Sequence, residues 1–155
     1  MKTPDLRESQ TRKPSRSREE DVFLSLVRAA ETLQRAVVEL LKTADLSPAQ
    51  YNVLRILRGA GKEGLACQKI GDRMITHDPD ITRLLDRLEK RELIVRTRES
   101  ADRRVITTRI SPKGLKLLEP LDAPMVALHR RQLAHMNAGE LDSLARLLDK
   151  AETQT

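Results

Sequence analysis

The sequence predicts a mainly α-helical fold with one small β-hairpin. Along most of the 155 residues, apolar side chains recur at the three- and four-residue spacing of helices. Three helical segments are preceded by a Ser-Pro or Asp-Pro pair, which supplies a capping side chain and a proline at the first helical position. Only residues 94–98 and 105–110 alternate and are rich in β-branched side chains, which is typical of strands.

The composition narrows the classes of partner. A formal net charge of +6 favours a polyanion such as nucleic acid or an anionic membrane. Phe23 and Tyr51 are the only aromatic residues, too few for stacking on single-stranded bases. The chain lacks an apolar run long enough to span a bilayer, and its amino terminus lacks a signal-peptide core, so we expect a cytoplasmic protein. A single cysteine, Cys67, suits a reducing compartment.

The amino-terminal part of the chain divides into a tail and a helix. Residues 1–18 are basic and almost free of apolar side chains, which predicts a disordered tail. Ser17 and Glu20 have the spacing of a capping box, and a helix should follow to about Lys42. Its apolar stripe is wider than one small domain would bury. Residues 19–44 are therefore predicted to contribute to a subunit interface.

Two short helices should follow over residues 48–58 and 66–75. Ser47, Pro48 and Gln50 mark the start of the first, and Gly59 and Gly61 are expected to end it. A tight connection over residues 76–78 then leads into another helix. Two short helices joined this closely are typical of a helix-turn-helix motif.

The helix predicted over residues 78–93 has one apolar and one charged side. Asp78 should cap it and Pro79 should occupy its first position. Its core-facing residues recur at helical spacing: Ile81, Leu84, Leu85 and Leu88. In most proteins a charged helix side is only a solvated face. Here the sequence that follows favours a DNA-reading helix.

After residue 93 the helical spacing of apolar residues ends, and apolar and polar residues begin to alternate. Residues 94–98 and 105–110 should pair as a hairpin, with a polar tip over residues 99–104. Five arginines fall in or beside it: Arg96, Arg98, Arg103, Arg104 and Arg109. A basic hairpin appended to a helix-turn-helix is a wing, so residues 45–114 are predicted to form a winged helix-turn-helix DNA-binding domain.

The carboxy-terminal part is predicted to be helical. Ser111 and Pro112 should start a stretch that runs to about Met136, with a kink or break at Pro120 and Pro124. Asn137 with Glu140 should then start a last helix, which frays after about residue 151. These helices, over residues 115–155, are the second predicted dimerisation segment.

The combination of three motifs resembles the MarR family of winged helix-turn-helix transcriptional regulators. The motifs are ITRLLDRLEKREL at residues 81–93, Asp-Arg-Arg at residues 102–104, and Ser-Pro-Lys-Gly at residues 111–114. The resemblance extends from about residue 20 to residue 151. It implies a homodimer whose first and last two helices pack against those of the partner, carrying two winged domains. It also implies a repressor that a small molecule releases from DNA.

The resemblance also implies a set of DNA-contacting residues. By position, Asp80, Thr82, Arg83 and Arg87 correspond to residues that face the major groove. Arg104 corresponds to the arginine that enters the minor groove, with Arg103 as its close competitor, and Asp102 to the carboxylate that holds the wing tip. We expect phosphate contacts from five other basic residues of this region, namely Lys69, Arg73, Arg96, Arg98 and Lys113.

The chain departs from the family pattern at two points. Members usually have glycine where this chain has Glu92, at a position suited to left-handed backbone, so Glu92 must either be strained there or end the helix differently. Oxidant-sensing members carry a cysteine in the first helix, and residues 19–42 contain none.

Other functions fit the residues less well. His77, His129 and His135 lack zinc-ligand spacing, and neither a phosphate-binding loop nor a catalytic motif is evident, so we expect no cofactor and no enzyme activity. A protein that coats nucleic acid without reading its sequence is the main alternative. Redox switching through Cys67 is another. The predicted partners are therefore double-stranded DNA with an inverted repeat, a second copy of the chain, and a small-molecule inducer.

Overall fold

The computed structural model describes residues 16–98 and 105–153. The helices in these ranges are α1 (Arg18–Lys42), α2 (Pro48–Ala60), α3 (Cys67–Arg73), α4 (Ile81–Lys90), α5 (Pro112–Gln132) and α6 (Ala138–Glu152). The strands are β1 (Leu65–Ala66), β2 (Ile94–Arg98) and β3 (Ile106–Ile110). The chain forms two compact units, Met1–Thr32 and Leu33–Thr155. None of the helices in the described ranges has the length and apolar character needed to cross a membrane.

The predicted fold class is confirmed: the chain is mainly helical with a small antiparallel sheet. The predicted hairpin is present, with Ile94 opposite Ile110 and Thr97 opposite Thr107. The sheet also has a strand that the sequence did not predict. In β1, Leu65 pairs with Thr108, so the strand order is β1-β3-β2.

The core of the Leu33–Thr155 unit is almost entirely aliphatic. Its fully buried residues come from the end of α1, from α2, α3, α4 and α5, and from β2, and include Leu41, Leu54, Ile70, Leu88, Ile94 and Leu118. α4 packs between α2, α3 and β2, and α2 also packs on α5. The core therefore fixes the position of α4 from several sides.

Several helix ends agree with the capping signals. Ser17 Oγ accepts a hydrogen bond from the Glu20 amide at 3.1 Å at the start of α1. Both bonds of a capping box are present where Ser47 and Gln50 start α2, and again where Asn137 and Glu140 start α6. The α2 helix continues through Gly59 to Ala60, past the predicted end at residue 58, and Gly61 terminates it.

The predicted start of α4 was wrong by two residues. Asp78 Oδ1 accepts a bond from the Asp80 amide at 2.9 Å, a local turn that competes with the helix. Asp80 is the cap instead, and its Oδ1 accepts from the Arg83 amide at 3.3 Å. The helix also ends at Lys90 and not at residue 93, because Glu92 leaves the helix with φ +60°.

The predicted extents of α3 and α5 also need correction. α3 is shorter than residues 66–75, because Ala66 pairs in β1 and the Ile75 amide donates to Asn52 Oδ1 of α2 at 2.9 Å. α5 runs through Pro120 and Pro124 without a break and ends at Gln132. Both prolines lie on the exposed side, where water can satisfy the carbonyls they leave unpaired, while buried leucines hold the other side.

Candidate nucleic-acid interface

The α4 helix presents two arginines on the side opposite its core-facing residues. Leu84, Leu85 and Leu88 are 7% exposed or less, and they hold the helix against the core. Arg83 and Arg87 lie one helical turn apart and are exposed. Two planar guanidinium groups are thereby held on a fixed helix at the spacing of one turn, and each can form a bidentate hydrogen bond with a guanine edge.

The two arginines differ in how they are held. Arg83 Nε lies 3.4 Å from Asp80 Oδ2, an exposed ion pair within the first turn. Among the described residues, Arg87 has no side-chain hydrogen bond or ion pair. The predicted groove-facing residue Asp80 thus acts as the helix cap and holds Arg83, while Thr82 is exposed on the same helix.

Two further predicted cations lie on α3. Lys69 and Arg73 are both exposed. The turn after α3 is held by the Asn52 side chain through its bond to the Ile75 amide. Asn52 therefore holds the first part of the connection between α3 and α4 against α2.

The hairpin places some of its predicted cations outward. Arg98 is exposed at the end of β2, opposite Ile106. Arg109 is more constrained, since its guanidinium donates to the Lys62 carbonyl and to Thr97 Oγ1, both at 2.7 Å. The predicted tip residues Asp102, Arg103 and Arg104 lie outside the described residues.

Arg96 was predicted to contact a phosphate, but its side chain is directed towards α4. Its side chain is only 23% exposed and is bound to two carboxylates of α4. Nε donates to Glu89 Oε2 at 2.9 Å, and Nη2 donates to Asp86 Oδ1 at 2.5 Å and also to Glu89. The bond to Glu89 is the main reason that the pKa of Arg96 is raised, with a smaller contribution from Asp86. Its donors are therefore engaged within the protein.

The carboxy-terminal end of α4 is fixed by a second set of bonds. Lys113 Nζ forms an ion pair of 2.9 Å with Glu92 Oε2, so its predicted phosphate contact competes with this pair. Arg91 donates to the Asp45 carbonyl at 2.5 Å and to the Ala44 carbonyl at 3.3 Å, just after α1. Arg91, which no sequence motif singled out, thus ties α4 to the α1–α2 connection.

A cavity of about 720 Å³ lies beside the turn that follows α3. Its walls come from α1, α2, α5 and the turn after α3, and its lining includes Val37, Asn52, Arg55, Ile56, Met74, Ile75, Met125 and His129. The lining is mostly apolar with a few polar groups, which is typical of small-molecule sites. Asn52 lines this cavity and also bonds to the turn that precedes α4.

The surroundings of Cys67 and of the histidines bear on the redox and metal sites weighed above. Cys67 is half-buried at the first position of α3 and packs against the aliphatic core. Within residues 16–98 and 105–153, no group of three or more histidine, cysteine, aspartate or glutamate side chains is placed to hold a metal ion.

These features define a class of protein. A short helix pair joined by a tight turn, an exposed basic helix, and a hairpin bonded to that helix make up a winged helix-turn-helix, the DNA-binding unit of many transcriptional regulators. The MarR family model matches residues 46–106, which include α2, α3, α4 and β2 and end at the first residue of β3.

Comparison with whole proteins extends the match beyond this unit. The chain is 31% identical to the transcriptional repressor MdtR of Bacillus subtilis over 130 residues, 84% of this chain and 83% of that protein. It is 41% identical to a MarR transcription factor from Planctomyces limnophilus, whose crystal structure it matches with a TM-score of 0.67 over 87% of this chain and 98% of the other. The chain therefore belongs to the MarR family of transcriptional regulators, which are not enzymes.

The fold is shared with more distant structures. The organohalide-sensing regulator RdhR, in its 2,4-dichlorophenol-bound form, is 18% identical and has a TM-score of 0.84 over 96% of this chain and 88% of its own.

Proposed function

We propose that this chain is a cytoplasmic, dimeric repressor that binds an inverted-repeat operator in double-stranded DNA. The observation that carries the proposal is the pair Arg83 and Arg87, exposed side by side on a helix whose other side is locked into the core. Each bidentate arginine–guanine contact is worth about 1–3 kcal/mol of discrimination against other base pairs. Lys69, Arg73 and Arg98 would add contacts to phosphates, which position a protein without specifying sequence.

The wing would read the sequence that flanks the major-groove contacts. Arg104, or its neighbour Arg103, would enter the minor groove, where negative potential is strongest in narrow A·T-rich segments. Asp102 would hold the tip, and Thr82 and Asp80 would face the major groove beside Arg83. The exposed end of β2 at Arg98 leads directly into this tip.

Exposed apolar side chains support the dimer. In the Met1–Thr32 unit, Val22 and Phe23 are 58% and 62% exposed, and Leu26 and Val27 continue the same helical stripe. In the other unit, Leu147 of α6 is 60% exposed and no α6 residue is buried. A second copy of the chain would cover both segments, as proposed for residues 19–44 and 115–155.

The proposed inducer would bind in the 720 Å³ cavity. The binding of 2,4-dichlorophenol by RdhR supports a small aromatic molecule of this kind. A ligand that displaces Asn52 from the Ile75 amide would free the turn that leads into α4. Such a ligand would favour conformations in which the two reading helices no longer match the DNA.

Selection of bound sequences from random duplex DNA tests the operator proposal. We expect an inverted repeat whose half-sites are about 10 bp apart centre to centre, the spacing of one helical turn. Sedimentation should show a dimer. Recovery of unrelated sequences, with the same affinity for every duplex, would favour a protein that coats nucleic acid without reading it.

Titration of the protein–operator complex with 2,4-dichlorophenol tests the inducer proposal. We expect release of the operator, and we expect an Ile56→Trp variant, whose larger side chain takes up part of the cavity, to bind the operator but resist release. Release that is unchanged in this variant would place the inducer site elsewhere.

A further inference from the structure

Arg96 joins the wing to the reading helix through a two-carboxylate bridge. Its guanidinium contacts Asp86 Oδ1 and Glu89 Oε2, which lie one helical turn apart on α4. Among the described residues, these are the side-chain ion pairs that link α4 to the hairpin. A guanidinium group is planar, and its donors have fixed directions. Binding two carboxylates therefore restrains both the distance and the orientation between β2 and α4.

The two ends of this bridge lie next to the groups proposed to contact DNA. Asp86 directly precedes Arg87 on α4, and Arg98 follows two residues after Arg96, on the same face of β2. The bridge therefore lies between the helix that would enter the major groove and the strand that leads to the wing tip.

We propose that Arg96 is a positioning residue that sets the wing relative to α4, so that both parts engage one half-site together. This inference rests on the proposed function. A wing that is already placed before binding loses less conformational freedom on DNA than one that must be ordered there. Arg96 thus contributes to operator affinity without contacting the DNA itself.

Binding measurements with Arg96→Gln, Asp86→Asn and Glu89→Gln test the inference. Arg96→Gln should bind the selected operator about tenfold more weakly than the original chain, because it removes the whole bridge. Asp86→Asn and Glu89→Gln should also bind it more weakly, but by less, because each leaves one of the two carboxylates in place. Each should bind a shortened operator, trimmed to the major-groove contacts, as well as the original chain does. Combining Arg96→Gln with Asp86→Asn should weaken binding no more than Arg96→Gln alone.

In the two carboxylate variants, the loss of charge and the loss of the bridge should change operator affinity in opposite directions. Removing a negative charge near DNA should by itself strengthen binding, so any loss of affinity in Asp86→Asn or Glu89→Gln has to come from the weakened bridge. Glu39→Gln is the matched control, since it neutralises a carboxylate paired with Lys42 on α1. Unchanged or tighter operator binding by both carboxylate variants would overturn the inference. The inference would also be overturned if the salt dependence of operator affinity fell by about one phosphate contact in Arg96→Gln and in neither carboxylate variant, because Arg96 would then contact the DNA itself.

Hydrogen exchange without DNA separates this inference from the proposed function. In the Arg96→Gln and Glu89→Gln proteins, the backbone amides of β2 and β3 should exchange faster while those of α2 stay protected. Unchanged exchange in the hairpin would overturn the inference even if the original chain binds an operator. Failure of the original chain to select any sequence would contradict the proposed function, while the exchange result would still decide the role of Arg96.

Discussion

Glu92 and Lys113 form an ion pair of 2.9 Å that joins the end of α4 to the first turn of α5. Backbone bonds close the end of α4 itself, since the Leu93 amide donates to the Leu88 carbonyl at 3.0 Å and the Glu92 amide to the Glu89 carbonyl at 2.8 Å. These two bonds are the Schellman arrangement, which places its left-handed residue at Glu92. Lys113 also lowers the pKa of the Glu92 carboxyl through this hydrogen bond.

Substitutions at position 92 should separate backbone strain from the ion pair. Only glycine adopts φ +60° without a steric penalty from Cβ, so Glu92→Gly should be about 1 kcal/mol more stable than Glu92→Ala, although both lose the bond to Lys113. Urea unfolding at pH 7 measures this difference. Equal unfolding midpoints and slopes for the two variants would show that the left-handed backbone is not strained.

The sequence was sufficient to predict structure where a short-range signal had no nearby competitor. Ser47 with Gln50, and Asn137 with Glu140, lie three residues apart, and both pairs form capping boxes at the predicted helix starts. The left-handed backbone at Glu92 was one of two outcomes expected where the family has glycine, and the structure shows that outcome. Local bonds of this kind depend little on the rest of the fold.

The features that were missed depend on partners that are distant or compete with one another. Leu65 and Ala66 form a strand only because β3, about 40 residues later, provides the partner. Aspartate is a common helix cap, so both Asp78 and Asp80 could start α4. Because the Asp78 side chain accepts a bond from the Asp80 amide, Asp80 is left as the cap. Arg96, which was predicted to contact a phosphate, is instead bound to two residues of α4 that lie seven and ten positions earlier in the sequence. A contact between a strand and a helix cannot be predicted from the periodicity of either element.

The Ser-Pro-Lys-Gly motif has a packing role that predicts the effect of changing its glycine. Ser111 caps α5, and its Oγ accepts from the Gly114 amide at 2.9 Å. A Cβ at Gly114 would overlap the Leu93 carbonyl oxygen and lie 2.8 Å from Ile110 Cγ1. Gly114→Ala should therefore destabilise the fold by about 1–3 kcal/mol, the typical effect of overpacking a core.

Gly59→Ala is the matched control for this substitution. A Cβ at Gly59 would meet nothing within 4 Å, and the residue lies inside α2. Alanine there should stabilise the protein by about 0.5–1 kcal/mol, because it restricts the unfolded chain and favours the helix. Thermal unfolding of both variants measures the contrast, and a Gly114→Ala protein as stable as the original chain would contradict the packing argument.

The ion pair between Arg58 of α2 and Asp122 of α5 should make stability depend on pH. Its two hydrogen bonds are both 2.8 Å, and the bond from Arg58 is the main cause of the lowered pKa of Asp122. A carboxyl whose pKa is lower in the folded state stabilises the fold above its unfolded pKa. This stabilisation is lost as the pH falls through the folded pKa.

Asp122→Asn should therefore lower stability at pH 7 and have little effect in strong acid. Because the Asp122 side chain is 47% exposed, solvent screening limits the loss at pH 7 to roughly 0.5–1 kcal/mol. Urea unfolding from pH 7 down to pH 2 measures the change, with exposed Asp142→Asn in α6 as the control. A difference between Asp122→Asn and the original chain that stays constant across this range would rule out the ion pair as its source.

Replacing Arg87 tests whether α4 reads sequence. Arg87 is exposed and, among the described residues, has no competing side-chain partner, so its loss should leave the fold intact. If it contacts a guanine, Arg87→Ala should weaken binding to the selected operator by about 10–100-fold, equivalent to roughly 1–3 kcal/mol. Binding to random duplex DNA should fall much less, because only a phosphate-type attraction is lost there.

The deciding quantity is the ratio of the affinity for the operator to the affinity for random duplex DNA. It is measured at one salt concentration for the original chain, for Arg87→Ala and for a Lys42→Ala control. Lys42→Ala removes an exposed cation from the last turn of α1 and should leave the ratio unchanged. Arg83→Ala should lower the ratio as well. In Arg83→Ala, Asp80 loses its cation, and the uncompensated carboxylate would add repulsion from the DNA. If all three substitutions weaken operator and random DNA alike, α4 contributes only charge and the reading-helix proposal is wrong.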